Sequence, residues 1–351
     1  MRRRVTIKDI ANKLRISHTT VSRALREDSR ISQGTRTKVR NLARKLGYSP
    51  NFAAAALSTG KTLSILFVVP YDLSKFPHLF HMEVFQGLVE EVSRYGYSVN
   101  VVLSQGKGKA SQNALRLLTT ARADGGVLLL VGTDENWVKE AIFPFPVVIV
   151  NQHVPESCAD GVVAEDRHGA FVATEHLINL GHRTIAYISG PPAYYSPTQR
   201  LDGYRDALVK HGLSFDEDLV SIEDITKRGG YTAVKRLIKG NAHFTAVFCC
   251  SDIMALGALD ALVEEKLKVP DNISLVGFDD DFFASLINPS LTTVRKPRKL
   301  MGREAGKIVL ERISRTLEGK PVIRKVKTRL IVRRSSRSLD HEYPRMLDVN
   351  A

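Results

Sequence analysis

Two groups of side chains in this sequence have types and spacings that could do chemistry. The first is His18, Thr19, Ser22 and Arg23, two pairs four residues apart, which on a helix share one side. There an arginine can donate two parallel hydrogen bonds to a guanine edge. A histidine or threonine can add base-edge hydrogen bonds or touch a thymine methyl. Ser17, Thr20 and Tyr48 are better suited to phosphate oxygens, which position a protein without specifying sequence. The bland alternative for each is an ordinary solvated helix position. The second group follows the carboxyl ends of candidate strands: Asp72, Asn151, Ser251 with Asp252, and Asp279 with Asp280. The stretch 191–200 reads as a polar and aromatic loop and adds Tyr194, Tyr195 and Arg200. Carboxylates accept from hydroxyls, a guanidinium donates, and rings cover apolar sugar faces, so such a cleft suits a polyhydroxylated ligand. The alternative is that these acids cap the helices that follow, Asp252 above all.

The first group needs helices to present it. Thr6 and Asp9 form a capping-box-like start, and Ile7, Ile10, Ala11 and Leu14 recur at helical spacing. After a short break Ser17 can cap a second helix with Val21, Ala24 and Leu25 inward. Ser32 can cap a third with Val39, Leu42, Ala43 and Leu46 inward, and Gly47 can stop it. Three short helices with a tight first turn fit an all-α helix-turn-helix over residues 1–48. Residues 49–61 follow, with Pro50 and Asn51 first, alanines at 53–56 and Gly60 near the end. So short a helix is marginal alone in water. It reads either as a plain linker or as a hinge that folds on DNA and wedges Leu57 into the minor groove. Charge agrees with a polyanion partner: residues 1–61 carry a net +12, 62–319 a net −4, and 320–351 a net +6.

From Thr62 apolar strand-sized runs, such as 64–69, 98–103, 126–131, 147–150, 184–189, 245–250 and 273–278, alternate with amphipathic helical stretches. Repeated βα units with buried strands predict parallel sheets, and this length predicts two of them. In such sheets ligands sit beyond the carboxyl ends of the strands. Cys249 and Cys250, adjacent in an apolar run, read as buried small residues, so neither a metal site nor a cofactor is expected. No run of 18 apolar residues exists, and no apolar segment follows Arg4. A cytoplasmic protein without membrane contact is expected. Gly60-Lys61-Thr62 lacks the earlier glycine of a phosphate-binding loop, because position 55 is alanine. No nucleophile–base–acid set has supporting context, so no catalytic residue is expected. A solute receptor with no DNA role is the other rival, against which the basic first 61 residues argue.

The runs Val5-Thr6-Ile7-Lys8-Asp9-Ile10-Ala11, Ser17-His18-Thr19-Thr20-Val21-Ser22-Arg23-Ala24-Leu25 and Leu46-Gly47-Tyr48-Ser49-Pro50-Asn51 resemble the headpiece of the lactose repressor/galactose repressor (LacI/GalR) family. The resemblance continues through Leu180-Gly181-His182-Arg183, Arg200-Leu201-Asp202-Gly203-Tyr204, Val276-Gly277-Phe278-Asp279-Asp280, Leu291-Thr292-Thr293-Val294 and Leu330-Ile331-Val332-Arg333, over roughly residues 1–338. It implies a type I periplasmic-binding-protein-like core at 62–338 with two parallel-sheet subdomains. One would span about 62–161 with 293–324, the other about 162–292 with 325–338, leaving 339–351 as a tail. It also implies a homodimer on operator DNA, base reading by His18, Thr19 and Arg23, and minor-groove insertion of Leu57. Arg200 and Asp279 match positions that commonly bind the effector, and Asp72 and Ile225 match cleft positions. The chain departs from the family at Ser251-Asp252, where Asn-Asp is common, and at 76–80, so effector identity does not carry over. His176 and His182 read as structural.

Overall fold

A computed structural model describes residues 5–25, 27–48, 61–70, 78–104, 123–129, 145–152 and 159–339. It divides into two compact units, 1–62 and 63–351. In the first, α1 (Ile7–Leu14), α2 (His18–Leu25) and α3 (Gln33–Lys45) enclose Ile10, Ala11, Val21, Ala24, Val39 and Ala43. The caps are those the sequence signals. Thr6 and Asp9 bond reciprocally, Ser17 Oγ accepts from the Thr20 amide at 3.0 Å, and Ser32 Oγ accepts from the Thr35 amide at 3.4 Å. Such caps contribute about 1 kcal/mol each. Gly47 turns the chain with φ +64°, and the Tyr48 amide closes back on the Ala43 carbonyl.

The second unit holds two sheets. The first runs β11-β5-β4-β3-β1-β2, with every pairing parallel: β1 (Ser64–Pro70), β2 (Ser98–Ser104), β3 (Gly125–Leu129), β4 (Val147–Val150), β5 (Asp160–Ala164) and β11 (Ile323–Val326). The second runs β12-β10-β9-β8-β6-β7: β6 (Ile185–Ser189), β7 (Val220–Ile222), β8 (Ala246–Cys249), β9 (Ser274–Asp279), β10 (Thr292–Arg295) and β12 (Arg329–Ile331). Only the β10–β12 pairing among these is antiparallel. Alternate residues of β1 join different clusters, Ile65 and Phe67 one, Leu66 and Val68 another, so both faces of that strand are buried.

The first lobe carries α4 (His78–Val92) and α9 (Arg298–Ile313). The second carries α5 (Asp166–Asn179), α6 (Tyr195–Lys210), α7 (Lys227–Lys239) and α8 (Asp252–Glu264). Three helix pairs touch at glycines. A Cβ on Gly302 would lie 2.0 Å from the Val84 carbonyl oxygen, one on Gly203 2.0 Å from that of Arg167, and one on Gly257 1.7 Å from that of Lys227. Only glycine permits backbones so close.

The chain changes lobe between β5 and α5, between β10 and α9, and between β11 and β12. These crossings lie a few residues beyond 162, 292 and 325. The cause is that β5 pairs wholly within the first sheet and β10 wholly within the second. A further correction concerns 191–200. It is not all loop, because α6 begins at Tyr195, and Pro197 falls in its first turn, where a missing N–H costs nothing.

Candidate functional site

On α2, His18, Thr19 and Arg23 are exposed, whereas Val21 and Ala24 are buried. The spacing that buries one stripe therefore presents the other. Ser17 and Thr20 are partly occupied, since their hydroxyls bond each other at 2.8 Å while Ser17 caps α2. Tyr48 is half-buried against the three-helix core. The described acids of this unit are each already engaged. Asp9 serves as a cap, Asp28 pairs with Arg30 at 2.7 Å, and Glu27 pairs with Arg40 at 2.8 Å. The Arg30 guanidinium holds the Asp28 carboxyl well below the usual carboxylate range. Leu57 lies outside the described residues, as does Asp72.

The second unit has a cavity of about 110 Å³ between its lobes. Arg200, Asp279, Ser251 and Ile225 all line it. Each is placed by an element end. Asp279 ends β9, Ser251 caps α8, Arg200 lies in the second turn of α6, and Ile225 precedes α7. Asn151, Asp279 and Asp280 have positive φ values of 66°, 115° and 55°. These conformations, uncommon for non-glycine residues, fall at the end of β9 and just past the ends of β4 and β9.

Arg200 is 4% exposed and stacks 3.6 Å above the Phe278 ring centroid. It donates from Nε to Asp166 Oδ1 at 2.8 Å, from Nη2 to Asp279 Oδ1 at 3.1 Å, and from Nη1 to the Cys250 carbonyl. Asp166 in turn accepts from Lys296 Nζ at 3.1 Å. Lys296 also donates to Asn151 Oδ1 at 2.5 Å and to Ser196 Oγ at 3.2 Å. This ammonium joins the first lobe, through Asn151, to the second, through Asp166 and Ser196. Arg298 makes a similar join, leaving the first turn of α9 to reach Asp281 at 2.6 Å.

Burial works to raise the Asp166 pKa, but the Lys296 and Arg200 charges together hold it below the ordinary carboxylate value. Burial pulls the Lys296 ammonium below an ordinary lysine, with Asp166 acting against it and Arg200 with it. Burial, then the nearby Asp279 charge, push Asp252 well above an ordinary aspartate. Asp252 neither caps α8 nor lines the cavity. Its two oxygens bond Thr293 Oγ1 at 2.5 Å and the Asp281 amide at 2.7 Å, tying β10 to the end of β9.

Sequence reasoning did not single out Lys296, Asp166, Arg298, His81 or Gln152. Asp166 sits just behind the cavity and the other four line it. Lys296 and Asp166 could have been found by the rule that located Asp279, since each follows a strand, but β10 and β5 have only four and five residues. Among the described residues no group of His, Cys, Asp or Glu could hold a metal ion, and no helix is long and apolar enough to cross a membrane.

Comparison with known proteins agrees with this geometry. Residues 6–51 match the family of bacterial regulatory proteins, lacI family, and residues 174–336 match a periplasmic binding protein-like domain. The HTH-type transcriptional regulator CelR of Thermobifida fusca is 34% identical over 340 residues, covering 95% of this chain and 99% of its own. The HTH-type transcriptional repressor CytR of Escherichia coli K12 is 32% identical over 338 residues, covering 95% and 97%. A crystal structure of the lac repressor dimer bound to operator and the anti-inducer ONPF superposes with a TM-score of 0.83, at 25% identity, over 96% of this chain and 100% of that one. A CelR–cellobiose complex superposes with a TM-score of 0.72, at 31% identity, over 95% and 100%. A three-helix reader and a two-lobed α/β core, matched along nearly the whole chain to proteins of this kind, make it a DNA-binding transcriptional regulator of the LacI family and not an enzyme.

Proposed function

We propose that the chain is a repressor that binds a pseudo-palindromic operator as a homodimer, acts in the cytoplasm, and is controlled by a small polyhydroxylated effector, a sugar, held between its lobes. Residues 1–48 read DNA, 49–61 tether, and 62–338 sense. Arg23 reads a guanine, with His18 and Thr19 beside it, while Ser17, Thr20 and Tyr48 hold phosphates. Paired tethers insert Leu57 at the operator centre. Arg200, Asp279, Asp72, Ser251 and Ile225 form the effector contacts. The observation that carries this reading is that Arg200, Asp279, Ser251 and Ile225, picked from separate parts of the sequence, line one cavity. The CelR–cellobiose complex and the operator-bound lac repressor dimer support it by likeness.

An effector can shift DNA affinity only by its differential affinity for the open and closed lobes, typically ~1–3 kcal/mol. The test begins with selection of an operator from random duplexes, followed by titration of the complex with mono- and oligosaccharides. Arg23→Ala is expected to lose about 1–3 kcal/mol at a single base position while the protein stays folded. Arg200→Ala and Asp279→Ala should keep operator affinity and lose the sugar response. Unchanged base preference in the first variant, or a normal response in both others, contradicts the assignment.

A further inference from the structure

Beside the cavity lies a second cleft, of about 330 Å³, where the chain leaves β10 and enters α9. Arg295, Lys296, Arg298, Lys299 and Arg303 line it, against Glu83, Asp279 and Asp280. Its rims hold more positive than negative charge. On one side Asp280 is shared by two arginines, Arg295 and Arg333, each at 2.6 Å. On the other, Glu90 is shared by Lys299 at 2.6 Å and Arg303 at 2.7 Å. One carboxylate cannot neutralise two cations, so each cluster keeps about one unit of positive charge. Glu83, 3.5 Å from Arg298 and 46% exposed, opposes this surplus only from the solvent side.

Among the described residues, two guanidinium donors at this cleft have no acceptor although both atoms are buried, Arg298 Nε and Arg303 Nε. The Arg298 side chain is 2% exposed, so bulk water does not satisfy it. A buried charged donor left unmade is costly and rare. The cleft also faces the start of a 16-residue helix, whose dipole favours an anion there.

We propose that this cleft binds the phosphoryl oxyanion of a small molecule. Arg295 holds it from the second lobe, and Lys299 and Arg303 hold it from the first. Guanidinium groups suit phosphate oxygens because they donate in a fixed fork. The oxyanion is either free inorganic phosphate or the phosphoryl group of a sugar phosphate. Lys296, Arg298 and Asp279 line both spaces, so a sugar phosphate could extend from one into the other. Asp279, an effector contact above, lines both spaces, whereas Arg295, Lys299 and Arg303 line only this one, so their variants test this cleft apart from the effector reading.

The experiment is thermal unfolding and calorimetry of the full chain with potassium phosphate, glucose 6-phosphate or glucose, against potassium chloride at matched ionic strength. A saturable rise in Tm with phosphate assigns the free ion. A rise with glucose 6-phosphate alone assigns the phosphoryl group of a larger ligand. Lys299→Gln/Arg303→Gln should weaken either response by well over about tenfold, because it removes two charge-assisted contacts. Both side chains are more than a third exposed, so the variant is expected to fold, and its melting curve in chloride checks that. Arg295→Gln, acting from the opposite rim, should weaken the response as well. No phosphate-specific response, or one that survives the double variant, overturns the proposal.

Discussion

Asp166 shows what one residue does in this molecule. It is 1% exposed and stands between two buried cations, Lys296 and Arg200. Removing one partner of such a group leaves an uncompensated buried charge, which costs about 3–5 kcal/mol. That is a large share of a stability of roughly 5–15 kcal/mol. Asp166→Asn is therefore expected to lower the urea midpoint steeply at pH 7. Arg200 keeps Asp279, but Lys296 keeps only neutral acceptors. Its pKa, already lowered by burial, should fall further, so the unfolded chain binds more protons than the folded one and stability rises with pH. Partial recovery of the variant at pH 9 is expected, and a flat profile contradicts the pairing. In the parent protein the Asp166 contribution is fully present above the ordinary carboxylate value and is lost only as pH falls through its lowered folded pKa. At this scale the sequence was half legible. Arg200 and Asp279 stood out through motifs and strand ends. Asp166 and Lys296 did not, because charged residues beside very short strands look like surface until the two lobes bury them.

Among the elements, the helices were legible and their mutual distances were not. Apolar periodicity and capping residues locate α1 to α3, and amphipathic stretches between strands mark α4 to α8 but not α9, whereas β7 and β12, three residues each, and the charged β11 carry no alternation that marks a strand. What no periodicity reports is that Gly257 lets α8 approach α7 until a Cβ would lie 1.7 Å from the Lys227 carbonyl oxygen. That neighbour is backbone and cannot rotate away. Gly257→Ala should cost about 3 kcal/mol or more, above the usual range for overpacking, read as a drop in Tm. The seam between β8, β9 and the closing segment is held by His182, 3% exposed, 2.8 Å from Thr245 Oγ1 and 3.2 Å from the Arg337 carbonyl. A carbonyl only accepts, so Nε2 carries the proton of the neutral ring. Burial lowers this histidine to about 4. The unfolded chain then takes up a proton between about pH 6.5 and 4 that the folded one refuses, and stability falls across that window by up to about 3 kcal/mol. His182→Asn should be less stable at pH 7.5 and should flatten the slope between pH 7 and 5. An unchanged slope rules His182 out as its source.

Over the whole molecule the charges are divided by task. The first 61 residues carry a net +12, and 62–319 carry a net −4. The two units should answer salt differently, because they use charge in different places. Cations on the reader act at an exposed surface, where binding to duplex releases counterions and falls as about −0.9 per phosphate in log–log slope. With 6–10 such contacts, raising salt from about 50 to 200 mM should weaken operator binding by roughly 10³–10⁵-fold. The cavity ions Arg200, Asp166 and Lys296 are each under about a tenth exposed, and pairs so buried are screened far less than surface charges. A neutral ligand there should keep its affinity within about twofold over the same range. Measuring both equilibria on one preparation separates the units without cutting the chain. A ligand affinity that collapses with salt alongside DNA binding contradicts an internally neutralised cavity, and an operator affinity indifferent to salt contradicts the cationic reader.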